Sequence, residues 1–133
     1  MSRADLDLIT PVAKLLGREI ISIDPDGTAH LRFRARPEFA NRHGSVQGGL
    51  ISAMLDSSLS AALLAQLPED LTSMTVKLET EFLRPAPLTF LEAKAWLMSR
   101  DERSATTRGE LRAQDGTLVA TATAHLRILP RKR

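Results

Sequence analysis

The sequence predicts an α+β domain in which a curved antiparallel sheet wraps around one long central helix. Three observations lead there. A single stretch, about residues 48–66, is apolar nearly all the way round at helical spacing and is stopped by Pro68; a helix of that kind is normally buried. Four strand-like segments follow it, and their short connections point to an antiparallel meander. A lone central helix must bury its faces somewhere, and a sheet curved around it is the economical solution.

Each element has its own justification. Residues 4–16 carry Leu6, Ile9, Val12, Leu15 and Leu16 at helical spacing, with Pro11 making the helix irregular or two-part. Residues 20–23 and 29–33 read as short strands on either side of Asp24-Pro25-Asp26-Gly27, a hairpin-turn sequence. Residues 37–40 form a short helical turn leading into a glycine-rich segment. After the central helix the period changes to two. Val76, Leu78, Thr80 and Phe82 alternate with Lys77, Glu79, Glu81 and Leu83, as in a half-buried strand, until Pro85 and Pro87 end it. Residues 88–98, 105–113 and 117–129 are the remaining strands, the last reached through Gln114-Asp115-Gly116.

The totals describe one domain over residues 1–133, with an N-terminal helical segment at 1–16 and a basic, solvated tail at 130–133. Hydrophobic residues make up 43% and charged residues 26%, ordinary for a globular protein. The absence of Cys rules out a disulfide framework, a thiolate nucleophile and a Cys-based metal site. His30, His43 and His125 are scattered without ligand spacing, so neither a metal nor another cofactor is expected. A formal charge of +2, aromatics at 4% and no Tyr argue against a nucleic-acid partner. The N-terminus lacks the pattern of a signal peptide, and polar residues interrupt the central helix too often for a membrane span. The expected location is the cytoplasm.

Asp56 stands out against this background. It is a carboxylate in the middle of the apolar helix, where an unpartnered charge is costly. Ser52 and Ser60 lie one turn to either side and extend it into a polar stripe. Gly48 and Gly49 open the same helix. The backbone N–H of Gly48 has no partner within the helix, sits at the positive end of the dipole, and has no Cβ to obstruct a ligand.

Several segments together carry a family resemblance: Asn41, the run Gly44-Ser45-Val46-Gln47-Gly48-Gly49, Asp56, Thr75-Val76-Lys77-Leu78, Phe82-Leu83-Arg84-Pro85-Ala86, and Asp115-Gly116-Thr117-Leu118-Val119-Ala120. In these, roughly from residue 20 to residue 129, the chain resembles the hotdog-fold, PaaI-like acyl-CoA thioesterases. The resemblance implies a hotdog fold and hydrolysis of an acyl-CoA thioester, coenzyme A being part of the substrate. It also implies that Asp56 is the catalytic carboxylate, with Gly48 as oxyanion donor and Ser60 and Thr75 holding the water beside Asp56. Many members have His immediately before the glycine pair, where this chain has Gln47, which can hydrogen-bond but cannot titrate.

The spacing bears on assembly. Gly48 and Asp56 are eight residues apart, about 12 Å along a helix, and a donor and a base acting on one carbonyl must both come within hydrogen-bond reach of it. Two antiparallel copies would bring Gly48 of one to Asp56 of the other. The expectation is therefore a homodimer with shared sites, and the family adds dimers of dimers, hence a homotetramer. Asn41 would orient the acyl carbonyl or hold its own loop. Gly49 would line the site beside Gly48. Arg84, Arg100 and Arg103 are candidates to meet the coenzyme A phosphates, with solvated surface charge the plainer reading of each. Trp96 and Phe90 read as core or interface, Met54 and Met98 as packing, His125 as cross-strand packing, and His30 and His43 as surface residues. Two rivals stay open. A hydratase or dehydratase on the same fold would want a His at the head of the helix. A non-catalytic module that binds or senses acyl-CoA would have no use for Asp56.

Overall fold

The computed structural model of the protein describes residues 9–132. Residues 4–8 of the expected N-terminal helix, and Arg133, lie outside them. The elements run α1 (Pro11–Leu15), β1 (Glu19–Ile23), β2 (Ala29–Arg34), a 3-10 turn (Pro37–Phe39), α2 (Gly48–Leu64), β3 (Leu71–Phe82), β4 (Phe90–Arg100), β5 (Ser104–Ala113) and β6 (Leu118–Pro130). The six strands form one antiparallel sheet in the order β1-β2-β4-β5-β6-β3, and α2 packs across its concave face.

The expected four-strand meander is corrected here. Only β4, β5 and β6 meander; β3 pairs with β6 at the far edge. The reason lies in residues 83–89, which hold Pro85 and Pro87. Proline fixes φ and lacks a donor, so this segment stays extended instead of turning tightly. Reaching β4 means bypassing two strands, about 14 Å at ordinary strand spacing, well within the ~23 Å that seven extended residues span. On the way Leu83 N donates to Val119 O at 2.8 Å and Val46 N donates to Ala86 O at 3.0 Å. The crossing thus closes the end of the sheet beneath the head of α2.

The concave face is lined by small side chains. Ala93, Ala95, Ala105, Ala120, Ala122 and Ala124 are all buried there, which lets the helix approach closely. Gly109 shows how closely: a Cβ on it would stand 2.9 Å from Lys94 O and 3.0 Å from Leu59 Cδ1. From the helix, Ile51, Met54, Leu55, Leu59 and Leu63 fill the core, each worth about 1.5–3 kcal/mol of burial. The expectation of a helix buried on every face is also corrected. Gly49, Ser52, Ala53, Asp56, Ser57 and Ser60 form a stripe that the single chain leaves partly open.

Several local readings shift. β3 starts at Leu71, five residues before the alternating run, and its register slips between Thr75 and Lys77. Val76 is the bulged residue and is exposed; a bulge places two residues opposite one, so Thr75 joins Leu78, Thr80 and Phe82 on the concave face. Trp96 and Phe90 lie on the convex face, not in the core. Phe90 sits beneath Arg32 and Arg34 at 4.9 and 5.9 Å, and Trp96 Nε1 donates to the sulfur of the exposed Met98 at 3.2 Å. Met54 packs in the core as expected. Arg131 is not a free tail residue: its backbone N–H donates to Asp70 O and its Nε to Glu69 O. At the turns, Asp26, Asp101 and Asp115 each accept a backbone N–H two residues on, and these bonds hold their carboxyls below the usual range.

Candidate active site

The structure gathers the expected site residues into two separate clusters. The first is built on the middle of α2. Asp56 is half-buried on the open stripe, and Thr75 Oγ1 on β3 donates to its Oδ1 at 2.8 Å. The bulge at Val76 is what turns Thr75 toward the helix. Asp56 Oδ2 has no hydrogen-bond partner among the described residues. One turn earlier, Ser52 Oγ donates to Thr80 Oγ1 at 3.0 Å, so Ser52 holds the strand and not the carboxylate. Ser60, one turn later, is half-buried, and its hydroxyl makes no hydrogen bond among the described residues. Among those residues no group of His, Asp and Glu is arranged to hold a metal ion.

The second cluster is the head of α2. Gln47 occupies the N-cap position with φ −56° and ψ 134°, and its side chain makes no cap bond. Leu50 N and Ile51 N both donate to Gln47 O. The N–H groups of Gly48 and Gly49 are left without an acceptor among the described residues, at the positive end of a 17-residue helix. Gly48 lines a groove of about 420 Å³ together with Asn41, Ile51, Phe82, Leu83, Arg84 and Ala86, among others. Phe82 lies directly against Gly48, since a Cβ on that glycine would stand 3.3 Å from Phe82 Cε1.

Asn41 is bonded within its own loop. Its Oδ1 accepts from His43 N at 2.8 Å and Ser45 N at 3.2 Å, and its Nδ2 donates to Ser45 Oγ at 3.1 Å. These bonds fix the loop that forms one wall of the groove. Arg84 is exposed at the groove's rim, where its Nη1 donates to Leu83 O. Arg100 and Arg103 are also exposed but sit at the other end of the sheet. Arg100 is level with Thr75 along the ladder and three strands away, about 14 Å.

Neither cluster is a complete site for acyl transfer. One offers a carboxylate, the other backbone donors in an apolar groove, and the length of α2 keeps them apart within a chain. β3, which carries Thr75 and Phe82, is an edge strand of 12 residues with Met74, Val76 and Phe82 exposed. In the sequence Phe82 read as a strand residue that opens the family-like run at 82–86; its contact with Gly48 requires the fold.

The family model described as the thioesterase superfamily matches residues 43–120. A phenylacetic acid degradation-related protein from Ralstonia eutropha JMP134 is 38% identical, with 89% of this chain and 90% of that one covered at a TM-score of 0.84. A thioesterase family protein from Silicibacter pomeroyi is 26% identical, with 96% of each chain covered and a TM-score of 0.87. The PaaI protein from the E. coli phenylacetic acid degradation operon is 25% identical, covering 90% of this chain and 85% of its own, at a TM-score of 0.82. No curated protein matched.

Proposed function

The protein belongs to the thioesterase superfamily, and from that premise we propose that it hydrolyses an acyl-CoA thioester to the free acid and coenzyme A, at two equivalent sites each shared by two copies of the chain. The observation that carries this reading is the split itself: a Thr-anchored carboxylate on one part of α2, and two unpaired N–H groups beside an apolar groove about 12 Å away.

In this reading the thioester oxygen accepts from Gly48 N–H, with Gly49 alongside. Asp56 of the other copy takes a proton through Oδ2 from a water as the water oxygen attacks the carbonyl carbon. Thr75 holds Oδ1, and Ser60 holds the water. The negative charge develops on the oxygen facing the helix head, where fixed donors act most strongly. Collapse expels the thiolate of coenzyme A, which takes up a proton. Attack by Asp56 itself, giving an anhydride that water then opens, uses the same atoms. Asn41 keeps the groove wall in place, and Gln47 presents Gly48 as the N-cap without contributing a titrating group. Arg84 meets a phosphate of coenzyme A. Arg100 and Arg103 remain candidates at the Asp56 end, where a second copy's groove would come.

The exposed edge of β3 supports a second copy, because a long unpaired strand edge is a template for pairing. A dimer of such dimers belongs to the same proposal. Among the described residues no helix is long and apolar enough to cross a membrane, and the proposed location is the cytoplasm. The test is thiol release from a panel of acyl-CoA esters with Asp56→Asn alongside. The expected result is release by the wild type and a loss of orders of magnitude in the variant with the fold intact. Equal turnover by both would refute the role of Asp56.

A further inference from the structure

We propose, resting on the reading above, that His43 is the acid that protonates the departing sulfur of the thioester. The reaction needs two proton transfers: Asp56 takes one proton from water, and the thiolate must receive another. Of the side chains that line the groove with Gly48, only His43 and Arg84 are ionisable. Arginine does not give up its proton in proteins, whereas histidine exchanges one near neutral pH. Gln47, at the N-cap, has no proton to transfer. His43 is thus the one side chain on this wall suited to the task.

The loop presents the ring from a fixed backbone. Ala40 and Val46 bridge as an antiparallel pair, and Asn41 N donates to Ser45 O at 2.7 Å. His43 sits at the tip of the loop that they close, with its own N–H held by Asn41 Oδ1 at 2.8 Å. The residue is exposed, and its imidazole makes no hydrogen bond among the described residues. The ring is therefore free to meet a ligand. With the carbonyl oxygen about 3 Å from Gly48 N, the sulfur lies two bonds from that oxygen. An acid on the groove wall serves it directly or through one water. The step balances. The water oxygen bonds to the carbonyl carbon and one water proton goes to Asp56 of the other copy. The C–S bond breaks with its electron pair on sulfur, and the imidazolium proton passes to that sulfur. His43 then regains a proton from solvent, and Asp56 releases one.

The experiment varies the leaving group. The acyl group that the wild type hydrolyses fastest in the coenzyme A panel is also prepared as its thioester with 5-thio-2-nitrobenzoate. That aryl thiolate is a weak base and leaves without an acid. Thiol release from both esters is measured with the wild type, His43→Gln and Asp56→Asn. His43→Gln is expected to lower kcat for the coenzyme A ester about hundredfold, low in the range for acid catalysis. With the aryl ester that loss should shrink below about threefold, while Asp56→Asn lowers both. Thermal unfolding of His43→Gln should match the wild type, since the ring makes no bond in the fold. An unchanged kcat with the coenzyme A ester would overturn the proposal. So would an equal loss with both esters, which would mark a role in the loop or in binding. Either result leaves the hydrolytic reading standing; only a wild type that releases no thiol from any ester removes that reading, and the proposal with it.

Discussion

Gly48→Pro removes the proposed oxyanion donor with little disturbance to the fold. Gly48 is the first residue of α2, and its φ is not positive. Proline is favoured at that helical position, where its missing N–H breaks no intrahelical bond. The preceding residue must be extended, and Gln47 already is, with ψ 134°. Folding stability is therefore expected to stay within about 1 kcal/mol of wild type. The one steric demand is on Phe82, whose Cε1 would lie 3.3 Å from the new Cβ; the ring is exposed and free to shift. Gly48→Ala makes the same Cβ demand while keeping the N–H; in Gly48→Pro the ring Cδ takes the place of that hydrogen, so the two variants differ in the donor and in the carbon that replaces it. Loss of one oxyanion donor costs about 2.7–4 kcal/mol, or roughly 10²- to 10³-fold in kcat. Thiol release under saturating ester should therefore show Gly48→Pro slower than Gly48→Ala by that factor, with thermal unfolding confirming intact protein. Equal rates for Pro and Ala would refute the assignment of Gly48 N–H.

Two further substitutions test the surroundings of the site and core. Thr75→Val keeps the shape of the side chain but removes the 2.8 Å bond to Asp56; a hydrogen bond to a charged group is worth about 1.5–3 kcal/mol, so kcat should fall about ten- to hundredfold while Thr75→Ser retains most activity, and an unchanged kcat in Thr75→Val would show that the bond is idle. Thr107 is fully buried on β5, and its Oγ1 has no partner among the described residues. Thr107→Val should stabilise the protein by about 1 kcal/mol, raising Tm by roughly 3–5 °C in calorimetry, and a lowered Tm would contradict the reading of that hydroxyl as unsatisfied.

Local patterns in the sequence reached most of the elements. The sequence located α2 as a long apolar stretch stopped by Pro68, and β4, β5 and β6 as strand-like segments joined by short turns. Periodicity missed the first five residues of β3 because Val76 is a bulge that reverses the alternation there. The place of β3 beside β6 depends on pairing between distant segments, and only the two prolines of residues 83–89 hinted against a hairpin. The alternating alanines of β6 went unread, although they line the face that the helix approaches. At the site, Asp56 and the glycine pair were legible as chemical anomalies, a charge and a bare backbone in an apolar helix. The partnership of Asp56 with Thr75 came from the resemblance, and the geometry now gives it a distance. Phe82 against Gly48 was not legible, since a strand residue and a helix terminus 34 positions apart meet only in the folded sheet.

The central claim is that each site is assembled from Gly48 of one copy and Asp56 of another, and mixing two disabled chains tests it directly. Gly48→Pro and Asp56→Asn chains, each with thiol release far below wild type, are unfolded together in equal amounts and refolded. Half of the resulting dimers should be mixed, and each mixed dimer has one site with both wild-type residues and one with neither. Thiol release should then recover to about one quarter of the wild-type rate, as two-fold symmetry requires. A mixture that stays at the level of its parents would contradict a site shared between two chains.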